Sequence, residues 1–120
     1  MIATERRSLV LRGVLDLCIL SLLRKRPVYG YKLTERLAEQ DLLVSGGSVY
    51  PLLSRLEKAS LVTSEKRPSP TGPPRKYYSL TQDGIDTLDT GTAEWLSVST
   101  SVTAILRSTD ASHNDQKEMA

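Results

Sequence analysis

The stretch SGGSVYPLLSRLEKASLV, residues 45–62, restricts the fold more tightly than any other part of the chain. Val49, Leu52, Leu53 and Leu56 fall at i, i+3, i+4 and i+7, and at about 100° per residue they form one apolar stripe along a helix. The opposite arc carries Tyr50, Pro51, Ser54, Arg55 and Lys58, with no carboxylate, because Glu57 sits nearer the seam. The stripe requires a core and the arc a polar partner. Two starts are open for this helix. If Ser48 is the N-cap, Pro51 removes an amide that has no intrahelical acceptor; if Ser45 caps one turn earlier, Pro51 kinks the first turns.

The flanking sequence supplies that core. From about Leu9 to Leu23 the chain is apolar almost all round, interrupted by Arg12 and Asp16, which predicts a helix buried on several sides. RKRP ends it: the cations suit a helix C-terminus and Pro27 disfavours helical geometry at Arg26. YGYKLTERLAEQ predicts a short second helix with Leu33, Leu37 and Ala38 on its buried side. After the helix of residues 45–62, LVTSEK and KYYSLT lean toward strand. RPSPTGPPR between them holds four prolines and one glycine, which suit a loop better than either strand. A two-stranded hairpin with a long tip is expected, flanked by Lys66, Arg67, Arg75 and Lys76.

Thr81 opens a last helix, with Asp83 and Asp86 near its positive end. Ile85, Leu88, Thr92, Trp95, Ser99, Val102 and Leu106 alternate spacings of three and four, a heptad seam with two polar interruptions. Gly91 and the Ser and Thr of residues 97–103 weaken helix propensity, so packing on a facing helix must supply the stability. Residues 109–120 read as a disordered tail.

A chain of 120 residues, 39% hydrophobic and 25% charged, fits one soluble domain. No run of 18 apolar residues and no secretory pattern is present, so a cytoplasmic protein without a membrane span is expected. Net charge is only +2, but residues 24–76 hold eleven Lys and Arg against five Asp and Glu, whereas residues 77–120 hold two against seven. The basic middle suits a polyanion. Cys18 lies within GVLDLCILSLL and reads as a small buried hydrophobe. The lone His113 falls in the tail, and no His, Cys or carboxylate cluster has ligand or triad spacing; no enzyme, metal or cofactor is expected.

Three helices, the third with a basic outer face, followed by a charged hairpin, make a winged helix-turn-helix. The fold class is mainly α with a small two-stranded β wing and a long C-terminal dimerisation helix. Residues 1–80 form the DNA-binding domain, 81–108 the dimerisation helix and 109–120 the tail. In such a domain the third helix enters the major groove and the hairpin lies on the adjacent backbone. Ser48, Ser54 and Arg55 suit base edges or nearby phosphates. Tyr50, Lys58, Lys32 and the wing cations Lys66, Arg75 and Lys76 suit phosphates. The plainer alternatives are that Tyr50 packs on the second helix and Lys58 is simply solvated.

PVYGYKL, SGGSVYPLLSRLEKASLV and TGPPRKYYSLTQDG, in this order and spacing, resemble the PadR family of bacterial transcriptional regulators over residues 9–106. The resemblance implies a homodimeric winged-helix regulator of double-stranded DNA, usually a repressor, whose first and last helices build the dimer. That would place Leu11 and Leu15 opposite Ile85, Leu88, Trp95, Val102 and Leu106. It further implies a small planar aromatic or cationic effector at that interface, where Trp95 and its copy would sandwich a flat ligand; core packing is the alternative for Trp95. Ser48, Tyr50 and Pro51 match the start of the family's recognition helix, Tyr31 its second helix, and Arg75, Lys76 and Tyr77 its wing. Three departures stand out. Tyr29 replaces a frequent histidine, Ser60 replaces the frequent glycine that gives a left-handed C-cap, and the wing tip is rich in proline. A second reading has the same helix dock an acidic protein, but four wing cations suit a polyanion backbone better.

Overall fold

The computed structural model describes residues 5–42 and 49–110. In chain order these form α1 (Glu5–Arg12), α2 (Leu15–Leu22), β1 (Val28–Tyr29), α3 (Gly30–Glu39), α4 (Val49–Lys58), β2 (Val62–Ser69), β3 (Gly72–Leu80) and α5 (Gln82–Asp110). Two compact units divide the chain, one through Asp89 and one from Thr90 onward.

The first helical segment is two helices, not the single one its hydrophobicity suggests. Gly13, a poor helix former, and Val14 separate them in a turn held by amides to the carbonyls of Val10 and Leu11. The break changes what is buried. Leu11 is covered, but Leu9 and Val10 of α1 are each 55% exposed, so α1 is one-sided. α2 is the central helix, with Leu15, Ile19 and Leu20 buried and Leu17, Cys18 and Leu22 partly buried against the same cluster.

α3 and α4 complete the three-helix core. Leu33 and Leu37 of α3 are buried, and so are all four stripe residues of α4. Ala38, expected on the buried side of α3, is exposed, because its direction lies about 100° past Leu37. Both helices end in the same way. Leu42 donates to the Leu37 carbonyl and Asp41 to that of Ala38; Leu61 donates to the Leu56 carbonyl and Ser60 to that of Glu57. These are paired Schellman bonds. They place Asp41 (φ 58°) and Ser60 (φ 62°) in the left-handed region that favours glycine. The C-cap is therefore kept at Ser60 without its glycine.

The wing differs from expectation in two respects. It is three-stranded and antiparallel in the order β1-β3-β2, since Val28 and Tyr29 pair with Tyr78 and Tyr77. The proline-rich segment also joins the strands: pairing continues through Arg67↔Arg75 to Ser69↔Gly72. Between those pairs Pro73 and Pro74 oppose the single Pro68, a bulge that tolerates residues lacking an amide hydrogen. The tip is thus short and the arm long. Val62 and Tyr78 root the arm in the core.

Thr81 caps α5. Its hydroxyl accepts from the Gly84 amide at 3.0 Å and donates to the Ser60 carbonyl at 2.7 Å, and the Thr81 amide donates to the Leu61 carbonyl at 3.1 Å. A Cβ on Gly84 would collide with that same Leu61 carbonyl. The final glycine of TGPPRKYYSLTQDG therefore lets the start of α5 seat against the exit of α4. Leu88 lies in the core cluster, and Arg24 reaches Asp89 at 2.7 Å.

In the second unit, α5 continues through Asp110, past the expected end at 108. Trp95, Leu96, Val98, Val102, Ile105 and Leu106 are all exposed. The remainder of the expected tail lies outside the described residues, as do Ser45 and Ser48, the two candidate caps of α4.

Candidate nucleic-acid interface

Burying the leucine stripe leaves the other arc of α4 in solvent. Tyr50, Pro51, Ser54, Arg55 and Lys58 are exposed, and among the described residues no carboxylate pairs with Arg55 or Lys58. Pro51 is the third described residue of α4.

Tyr50 has a dual position. It is 53% exposed, yet its ring lies over Gly30, where a Cβ would come within 2.7 Å of Cε1 and 3.3 Å of the hydroxyl. Gly30 thus admits Tyr50 against the start of α3 and fixes the aromatic ring there. Packing on the second helix and solvent access hold together.

Around this contact Tyr29, Gly30, Tyr31, Tyr50, Arg75 and Lys76 line a hollow of about 380 Å³. Four of the residues singled out in the sequence, Tyr31, Tyr50, Arg75 and Lys76, therefore converge. Lys32 does not join them. It lies two positions after Gly30 on α3, about 200° round the helix, and lines a different cavity together with Arg36.

The strand register sorts the wing residues onto two faces. Lys66 stands opposite Lys76 and Ser64 opposite Tyr78, on the face that meets α4. There Glu57 accepts the Ser64 hydroxyl at 2.7 Å and holds the Lys76 ammonium at 3.6 Å. Lys76 also lies 5.6 Å from the Tyr78 ring centroid. Burial pushes the Tyr78 hydroxyl above its ordinary pKa, while the Lys76 ammonium pulls in the opposite direction. On the other face Arg67 covers Tyr77 at 4.8 Å and Arg75 covers Tyr29 at 4.5 Å, with the two rings 5.5 Å apart. The two guanidiniums are thereby splayed on an aromatic platform. Glu57 and Gly30 gave no functional signal in one sequence, because their roles depend on partners in other elements.

Cys18 is half-buried and free. Burial first, and Asp16 second, push its thiol above the ordinary value, opposite to what a reactive thiolate requires.

A three-helix core with an exposed cationic third helix and a charged antiparallel arm beside it defines a winged helix-turn-helix DNA-binding domain. Residues 19–90 match the model of the transcriptional regulator PadR-like family. The chain belongs to that family, and transcriptional regulation through DNA binding is its function. The crystal structure of a PadR-like transcriptional regulator from Bacillus cereus is 40% identical, with a TM-score of 0.72 over 82% of this chain and 96% of that one. A Streptococcus transcriptional regulator is 36% identical, with a TM-score of 0.73 over 86% and 98%. An uncharacterised protein of Lysinibacillus sphaericus is 30% identical over 95 residues, 77% of this chain and 87% of that protein. Among the described residues no helix is long and apolar enough to cross a membrane.

Proposed function

We propose that this regulator is a homodimeric repressor that binds a palindromic operator, inserting α4 of each subunit in the major groove and laying the wing along the adjacent backbone. The supporting observation is the outer arc of α4, where Ser54, Arg55 and Lys58 face solvent without a carboxylate partner among the described residues. Arg55 would read a base edge. Tyr31, Tyr50, Lys58, Lys66, Arg75, Lys76 and Tyr77 would set the register on phosphates, with Pro51 on the same arc; Ser54, and Ser48 outside the described residues, would reach base edges or nearby phosphates.

The dimer surface favoured by this reading is narrower than the sequence suggested. Leu15 is 5% and Leu88 3% exposed within their own domain, and Leu11 is equally covered. Leu15 and Leu88 pack in the core cluster of their own chain. The distal half of α5 is what remains, with Trp95 (43% exposed), Val102 and Leu106 joined by Leu96, Val98 and Ile105. Such a row of exposed large apolar residues suits a second copy. Trp95 on that row would stack against a planar aromatic or cationic effector that releases DNA.

The test is a mobility-shift titration on the intergenic DNA upstream of its own gene, with a scrambled duplex as control. Specific binding should fall with salt at roughly −0.9 in log K per phosphate neutralised. Arg55→Ala should narrow the gap between the two duplexes by about 1–3 kcal/mol. Equal, salt-independent binding to both duplexes would refute the reading.

A further inference from the structure

A second cavity, of about 550 Å³, opens on the flank of the winged-helix domain between the end of α2, β1 and α3. Its size falls in the range of small-molecule sites. Arg24, Lys25, Arg26, Lys32 and Arg36 line it, and among the described residues no carboxylate does. Arg24 is engaged by Asp89 and Lys32 loosely by Glu35 at 3.8 Å. Among the described residues Lys25, Arg26 and Arg36 have no ion pair.

Cations at the end of α2 are accounted for by its carbonyls, but that explains neither Lys32 nor Arg36, which lie one turn apart on α3. Like charges at that spacing repel, and adding three more cations from the connector concentrates positive potential in one concave site. The other walls are Ser21 and the apolar or aromatic Leu22, Pro27, Val28, Tyr29, Leu33 and Tyr77. Phosphate oxygens fit the guanidiniums, and a planar ring fits the tyrosines.

The geometry points to a binding site for a small organic phosphate with a planar ring, a nucleotide being the simplest case. A duplex backbone supplies the same phosphate chemistry but presents a convex rod, whereas this site is a concave pocket with two tyrosines among its lining. The inference draws on no property of α4 or of the dimer.

Calorimetric titration with ADP, adenosine and pyrophosphate tests it, using the wild-type chain and an Arg26→Gln/Arg36→Gln double variant whose exposed changes leave the core intact. ADP should bind at least about tenfold more tightly than adenosine or pyrophosphate, and the double variant should lose about tenfold in ADP affinity, the loss expected for a charge-assisted contact. Its affinity for a 20-base-pair duplex should stay within about twofold. Three results would overturn the inference: ADP binding no better than adenosine, ADP binding untouched in the double variant, or duplex affinity falling along with it. The last would assign the cavity to the DNA backbone.

Discussion

Ser60→Gly should stabilise the protein. Ser60 sits at φ 62° in the turn that closes α4 and leads into β2, and an L-residue pays about 1–2 kcal/mol for a left-handed conformation. Glycine removes that cost but loses roughly 0.5–1 kcal/mol through its greater freedom when unfolded, leaving a net gain of about 0.5–1 kcal/mol. Nothing else should offset it. The serine side chain is exposed, and the bonds made at this position use backbone atoms that glycine retains: the amide to Glu57 and the carbonyl from Thr81. At about 4–8 °C per kcal/mol for a domain of this size, the melting temperature should rise by some 2–8 °C, measured by circular dichroism at fixed protomer concentration. Ser60→Ala, which keeps the Cβ, should give no such rise. Asp41→Gly should gain less, because aspartate tolerates the left-handed region better than serine. An unchanged or lower melting temperature for Ser60→Gly would show that the turn is not strained.

Gly84→Ala should act in the opposite sense, losing about 1–3 kcal/mol to the collision with the Leu61 carbonyl, net of alanine's better helix propensity; a rise in melting temperature would contradict the packing described. Glu57→Gln frees Lys76 from its partner, so binding to non-specific duplex should strengthen and its salt slope steepen by up to ~0.9. Weaker binding in the same titration would mean that Glu57 chiefly positions the wing. The raised pKa of Cys18 lowers its thiolate fraction at pH 8, so alkylation followed by mass spectrometry should be slower than in the urea-unfolded chain and accelerate at a higher pH than in that chain; equal rates at pH 8 would contradict its burial.

Periodicity located α4 well, because burial of Val49, Leu52, Leu53 and Leu56 follows directly from spacing. It could not separate the buried Leu15 and Leu88 from the exposed Trp95 and Val102, since apolar spacing alone does not say which of its residues find a core to cover them. Local composition also misplaced the prolines of the wing. Whether Pro73 and Pro74 can join a strand depends on their register against Pro68, a non-local property. β1 is harder still: two residues become a strand only because Tyr77 and Tyr78, nearly fifty positions later, present a free edge. Gly30 and Glu57 belong to the same class, being defined by Tyr50 and Lys76 across element boundaries.

Among the described residues the order β1-β3-β2 leaves β2 with an open side over eight residues. An edge of that length invites strands from other molecules to zip onto it. Pro68 offers no amide hydrogen there, the irregular register beside it bends the ribbon, and Glu65, Lys66 and Arg67 keep it heavily hydrated. Pro68, with the bulge beside it, thus works against edge-to-edge pairing of this projecting ribbon.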